Sequence, residues 1–201
     1  MAVIWFVSLR ICMNKNKLRK QLFGQGQSLS NDFIKSSRNI IQKKLIDSII
    51  FKDAKKILLY KNVKNEININ EVFAQATNSK KEIYLPKIGN KFEMSFNKFS
   101  KDQKFINNKY GIPELPNQNF INLTDLDLAV IPFVGVDALG YRLGYGGGYF
   151  DRIFNPIEKE YAPITIGLGY DYQMLSDEIR EAHDMRYNMV ITEENIYNFN
   201  Y

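Results

Sequence analysis

The sequence predicts an α/β fold: a three-layer α/β/α sandwich around a largely parallel central sheet, in a single domain. Three observations predict it. Apolar runs of strand length at residues 56–60, 128–134, 164–168 and 189–192 alternate with stretches of helical character, the pattern of strand–crossover–strand units. The chain of 201 residues is the size of one ordinary domain, long enough to bury a core. The densest glycine cluster, Gly144, Gly146, Gly147 and Gly148, follows an apolar run and precedes a helical pattern, so it falls at the carboxyl end of a strand, where ligands of such sheets collect.

Composition narrows the function classes. Hydrophobic content of 45% and charged content of 24% suit a soluble globular protein. The single cysteine, Cys12, excludes an intrachain disulfide framework and fits a reducing cytoplasm. No apolar run reaches the length that spans a bilayer, so no membrane partner is expected. A net charge of +5 favours anionic partners, but the lysines are spread through the first half without interleaved aromatics, so nucleic acid is not expected among them.

Residues 1–12 read as an apolar extension, either upstream of a start at Met13 or a short membrane-touching or packing segment, with residues 13–201 forming the domain. Residues 15–23 read as a short basic helix, with Lys15 and Arg19 one turn apart on one face, where like charges repel unless an anion lies between them. Ser30 is the N-cap expected for a long amphipathic helix to Phe51, its core face drawn from Phe33, Ile34, Ile40, Ile41, Leu45, Ile49 and Ile50. A buried strand over 56–60 precedes Glu66, a carboxylate suited to the first turn of a second helix over 69–76. Residues 82–86 and 92–96 read as strands about a turn at Gly89 and Asn90, with Lys87 directed to phosphate or to solvent. A polar connector, 117–127, leads into the central strand at 128–134.

The stretch from Pro132 to Arg152 organises the rest. Glycine loses more backbone freedom on folding than any other residue, so four in five positions need a reason. Without a Cβ, consecutive N–H groups can converge on an anion at a helix start, so the stretch reads as a phosphate cradle, with a glycine-rich hairpin or tight packing turn as the alternative. Arg142 and Arg152 flank it with planar forks suited to phosphate, and Asp151 could hold a magnesium ion. The stretch matches neither a Walker loop, since Tyr149 and Phe150 follow Gly148, nor the dinucleotide fingerprint, since Tyr149 stands where a sixth-position glycine or alanine belongs. A helix start over 149–157, a strand over 164–168 and a last strand over 189–192 complete the pattern, with Glu181, His183 and Asp184 between those two strands. His183 reads as a structural histidine, lacking a partner serine or cysteine motif.

The order Arg-Leu-Gly-x-Gly-x-Gly-Tyr-Phe-Asp-Arg over 142–152, after Pro132, Asp137 and Gly140, resembles the 5-formyltetrahydrofolate cyclo-ligase family, also called 5,10-methenyltetrahydrofolate synthetases. The resemblance extends from Lys15 to Thr192. It implies ATP- and magnesium-dependent cyclisation of 5-formyltetrahydrofolate to 5,10-methenyltetrahydrofolate, with release of ADP and phosphate, by a cytoplasmic monomer. It implies that Arg142, Leu143, Gly144, Tyr145, Gly146, Gly147, Gly148, Tyr149 and Phe150 hold ATP, with Lys15 and Arg19 on its other side. Arg142 and Arg152 would be the catalytic cations, and Asp151 and Asp184 the magnesium ligands. Glu66 and Lys61 would lie against the folate, bordered by Tyr145, Gly146, Gly147, Gly148 and Tyr149. The segment 111–116 departs from the family's Gly-Ile-x-Glu-Pro, with Leu115 at the proline position and Pro116 one later, which puts a role for Glu114 in doubt. Two rival classes remain: an α/β enzyme acting on a phosphorylated small molecule without ATP hydrolysis, and a nucleotide or nucleic-acid binding module without catalysis.

Overall fold

The computed structural model describes residues 14–63, 65–89, 92–108, 111–116, 119–157 and 161–199. The apolar extension over 1–12, Met13, Cys12, and the Asn90 half of the expected turn lie outside these residues.

Eight strands form the main sheet in the order β12-β11-β10-β7-β1-β2-β3-β6. In chain order these are β1 (Lys56–Leu58), β2 (Glu82–Ile88), β3 (Met94–Lys98), β6 (Phe120–Ile121), β7 (Leu128–Ile131), β10 (Ile164–Leu168), β11 (Met189–Ile191) and β12 (Ile196–Asn198). The five central strands β11, β10, β7, β1 and β2 run parallel, and β12, β3 and β6 add antiparallel edges. Two short ribbons lie outside it, β4 (Ile106–Asn107) with β5 (Pro113–Glu114), and β8 (Gly135–Val136) with β9 (Arg142–Leu143). The sheet grows from β1 toward β2 in one direction and from β7 toward β10 and β11 in the other. The order therefore reverses between β1 and β7, and the loops leaving their carboxyl ends open a crevice there. The loop after β1 carries Lys61 and Glu66, and the connection after β7 carries the β8–β9 hairpin and then the glycine cluster.

Alternation along the strands builds a core on each face. Ile57 and Leu59 join Ile41, Leu45, Val72 and Phe73 beneath α2 (Asn31–Asp47) and α4 (Asn70–Asn78). On the other face Leu58, Ala129, Ile131 and Val190 pack with Phe133, Tyr187 and Phe154, the last from α5 (Tyr149–Phe154). A third cluster sets Leu18 and Leu22 of α1 (Lys15–Gln27) against Val134, Leu143 and Ile179, which brings the first helix to the rim of the crevice.

Helix α1 begins where Asn14 accepts hydrogen bonds from the N–H groups of Asn16 and Lys17, and it continues past the expected end at Phe23. Its Gly26 is there for contact: a Cβ would meet the Asn65 side chain and the Tyr172 hydroxyl at 2.7 Å, so the glycine lets the loop after β1 lie on the helix. The long helix expected to reach Phe51 is broken. Ser48 leaves helical geometry, donates to the Leu45 carbonyl at 2.7 Å and accepts from the Phe51 N–H at 3.1 Å, starting α3 (Ile49–Asp53). The break turns Ile49 outward (67% exposed) and Phe51 inward (2% exposed); Phe33 and Ile40 are also exposed, so the expected core face was too wide.

The central strand also stops earlier than residue 134. Pro132 has no N–H to give a ladder, and the chain turns into the β8–β9 hairpin instead of passing directly to a helix. Asp137, fully buried, shapes its tip by accepting from the N–H groups of Leu139 and Tyr141 at 2.9 and 2.8 Å, and Gly140 supplies a φ of +90°. Arg142 is thereby a strand residue with a fixed direction. Strand β12 is a further element the apolar pattern did not announce, because its burial is partial. The expected strand over 92–96 lies later, as β3, because Phe92 takes a turn conformation with φ of +68°.

Candidate active site

The glycine loop, residues 144–148, joins β9 to α5. Gly146 and Gly148 have φ of +101° and +62°, which a side chain would strain. Gly144 is required for space, since a Cβ there would run into the Arg142 guanidinium.

Arg142 is only 4% exposed. Its Nε donates to the Pro132 carbonyl at 2.8 Å and its Nη1 pairs with the Asp151 carboxylate at 3.2 Å. Burial by itself would lower its pKa, but Tyr187 and then Asp151 turn the net shift upward, so the guanidinium stays charged. The Tyr187 hydroxyl lies near Arg142 and donates to the Ile131 carbonyl at 3.0 Å; burial raises its own pKa. Asp151 is buried as well, with the Met185 N–H at 3.4 Å from its Oδ1.

The first helix closes the opposite wall. Arg19 Nε donates to the Gly144 carbonyl at 2.7 Å, and burial followed by the nearby Arg142 charge lowers its pKa. Lys15 Nζ lies 2.6 Å from Asp184 Oδ2 and 3.2 Å from Glu181 Oε2. Asp184 is buried and also accepts the Glu181 N–H at 2.7 Å. These groups line a cleft of about 420 Å³.

Of the residues expected to bind ATP or metal, Lys15, Arg19, Arg142, Leu143, Gly144, Gly146, Gly148, Asp151 and Asp184 line this cleft. Asn14, Asn16, Glu181 and His183 line it too, and were not assigned from sequence. His183 is not a packed core histidine: its side chain is exposed, 3.3 Å from Glu181. The remaining candidates do not line it. Tyr149 faces Phe92 at 6.0 Å, Phe150 packs on Phe154 at 6.2 Å with Arg142 5.2 Å over its ring, and exposed Arg152 sits 4.2 Å over the Phe92 ring while donating to the Gly147 carbonyl. Lys61 lies 4.1 Å over the Phe73 ring. Glu66 accepts the Val63 N–H at 2.8 Å, and burial followed by the Glu66 charge raises the pKa of the Tyr145 phenol. Glu114, whose role the sequence left in doubt, is a buried tie that accepts from Ile88 N–H and Asn108 at 2.8 and 2.7 Å. Lys87 donates to the Pro116 carbonyl.

A metal would find hard oxygen donors here. Glu181, His183 and Asp184 offer ligand atoms within 4.8 Å of one another, and the Lys15 ammonium between two of the carboxylates marks the place where positive charge is held. Two carboxylates with phosphate oxygens suit magnesium.

The chain matches the 5-formyltetrahydrofolate cyclo-ligase family over residues 12–193. It belongs to that family. It is 32% identical to the 5-formyltetrahydrofolate cyclo-ligase of Haemophilus influenzae over 139 residues, covering 67% of this chain and 73% of the relative. It is 29% identical to the Mycoplasma pneumoniae enzyme of that name over 185 residues, covering 90% and 100%. Among solved structures it is similar to the Aquifex aeolicus 5,10-methenyltetrahydrofolate synthetase, with a TM-score of 0.80, 28% identity and coverage of 92% of both chains. The Mycoplasma pneumoniae synthetase gives a TM-score of 0.74 at 26% identity, covering 90% of this chain and 99% of that one. Cyclo-ligases of this family use ATP as co-substrate. Among the described residues no helix is long and apolar enough to cross a membrane.

Proposed function

We infer that this cyclo-ligase family member converts 5-formyltetrahydrofolate and ATP to 5,10-methenyltetrahydrofolate, ADP and phosphate. The observation that carries the reading is the convergence of Lys15 and Arg19 with Arg142, Asp151 and Asp184 around one glycine loop at the point where the strand order reverses. The formyl oxygen attacks the γ-phosphorus and ADP leaves. N10 of the folate then attacks the activated carbon, loses its proton and expels phosphate. Neither step uses a side-chain nucleophile, so the chain's task is positioning and charge stabilisation.

Arg19 and the N–H groups of the loop face the triphosphate, and Arg142 supplies fixed positive charge at the floor of the cleft. Asp184 and Asp151 would hold magnesium, which supplies charge neutralisation on the phosphate oxygens. Glu181 is close enough to Asp184 to join them. Lys15, now on Asp184 and Glu181, exchanges those carboxylates for phosphate when nucleotide arrives. Glu66, in the loop across the crevice, faces the folate. The enzyme acts as a cytoplasmic monomer without nucleic-acid or membrane partners.

Lys15→Ala tests the nucleotide half. A charge-assisted contact contributes about 1.5–3 kcal/mol, so the KM for ATP should rise about 10–100-fold while the KM for folate changes little. An unchanged KM for ATP would remove Lys15 from the triphosphate. Phosphate release should need both ATP and 5-formyltetrahydrofolate; release without folate would contradict coupled transfer.

A further inference from the structure

Arg152 was expected to be a catalytic cation, yet its side chain is exposed and does not line the ATP cleft. It grips the two peptides that flank Gly148 instead. Its own N–H donates to the Gly148 carbonyl at 3.2 Å, and its Nη1 donates to the Gly147 carbonyl, also at 3.2 Å. The guanidinium covers Gly148 so closely that a Cβ there would come within 3.0 Å of Nη1.

Phe92, from the turn between β2 and β3, holds that guanidinium in place. Its ring centroid lies 4.2 Å from the guanidinium carbon and 6.0 Å from the Tyr149 ring. A guanidinium stacked on an aromatic face keeps its edge free to donate, here to Gly147. Phe92 has a φ of +68°, a conformation that costs a bulky side chain energy, and it stays 53% exposed, so core burial does not account for its position. The contact with Arg152 and Tyr149 does.

A trans peptide is planar, with its C=O and N–H on opposite sides. Since the Gly147 carbonyl is turned out to Arg152, the N–H of Gly148 faces the other way, and Gly148 is one of the residues that line the cleft. Among the described residues none accepts from the N–H groups of Gly146, Gly147 and Gly148.

We propose that Arg152 and Phe92 are positioning residues for the triphosphate: Phe92 holds the Arg152 guanidinium on the Gly147 carbonyl, and that bond turns the Gly148 N–H into the cleft as a phosphate donor. The proposal rests on the reading that the glycine loop holds the triphosphate. It gives Arg152 a role through the loop backbone instead of contact with the transferred phosphoryl group.

The test measures kcat and the KM values for ATP and 5-formyltetrahydrofolate in Phe92→Leu, Phe92→Trp, Arg152→Met and the Phe92→Leu, Arg152→Met double variant, beside Lys15→Ala. Each variant is checked for a native melting curve. Losing the ring under an exposed guanidinium should raise the ATP KM about two- to fivefold in Phe92→Leu, and Phe92→Trp, which offers the cation a better face, should restore the wild-type value. Arg152→Met also loses the bond to Gly147 and should raise the ATP KM about tenfold, with kcat and the folate KM within about twofold of wild type. Because Phe92 acts through Arg152, the double variant should be little worse than Arg152→Met alone. An ATP KM raised in Lys15→Ala but unchanged in Phe92→Leu and Arg152→Met overturns the proposal alone. So do losses that multiply in the double variant, or a Phe92→Trp variant that restores nothing. A fall in kcat in Arg152→Met with Phe92→Leu at the wild-type rate overturns it too, and would make Arg152 the cation that touches the phosphoryl group. An ATP KM unchanged in Lys15→Ala as well overturns the placement of the triphosphate, and the proposal with it.

Discussion

Arg142→Ala is expected to lose both turnover and stability. The guanidinium is buried, paired with buried Asp151 and bonded to the Pro132 carbonyl. Removing one partner of a buried pair leaves the other charge without compensation, a cost of about 3–5 kcal/mol. The loss should appear as a lower urea midpoint at unchanged slope. A fixed cation aimed at developing phosphate charge is worth about 10²–10³ in kcat, so turnover in the fraction that stays folded should fall by that factor. Wild-type turnover in folded Arg142→Ala would remove Arg142 from the mechanism, and an unchanged midpoint would show that Asp151 does not depend on it.

Gly144→Ala is expected to displace the same guanidinium without deleting it. A Cβ at position 144 would run into Arg142, and such a clash is cheap only when the side chain can swing away. Arg142 cannot swing without leaving the Pro132 carbonyl or Asp151. The added methyl should cost about 1–3 kcal/mol as overpacking, and displacing a positioned group by about 1 Å can cost 10²-fold in rate. Gly24→Ala in the exposed part of α1 is the matched control: nothing lies within 4 Å of its Cβ position, and replacing a helical glycine should leave turnover alone and stabilise by about 0.5–1 kcal/mol. Equal turnover in Gly144→Ala and wild type would show that the position of Arg142 does not matter.

The parts of the fold legible in the sequence were those with strong local signals. The strand over 164–168 falls as expected because both of its faces are covered, giving a continuous apolar run. Ser30 caps α2 as expected because the cap is a contact three residues away. The misplaced features depend on contacts far apart in sequence. Nothing local reports that Pro132 to Leu143 folds into a hairpin held by Asp137, or that Ser48 restarts a helix one residue after the previous one ends.

The site shows the same division. The glycine order and its flanking charges located the cleft, and Lys15, Arg19, Asp151 and Asp184 meet there from three distant segments. Its inner shape was not legible: Arg142 and Arg152 look alike in sequence, yet strand direction buries one, and helix direction leaves the other on Phe92. Tyr187 packs with Met185 and Val190 in the core, where a tyrosine reads as core filling, and only its nearness to Arg142 shows its second use. Glu181 and His183 shortly precede Asp184 in sequence, and their proximity was the signal that could have placed them at the cleft.

The most direct test of the central reading is the near-ultraviolet absorbance of 5,10-methenyltetrahydrofolate when the protein is mixed with 5-formyltetrahydrofolate and magnesium ATP. The expected result is a rise that needs ATP, stops when magnesium is chelated, and is matched one for one by released phosphate. A protein that binds ATP in the cleft and gives no rise would contradict the folate reading and leave only the nucleotide site standing.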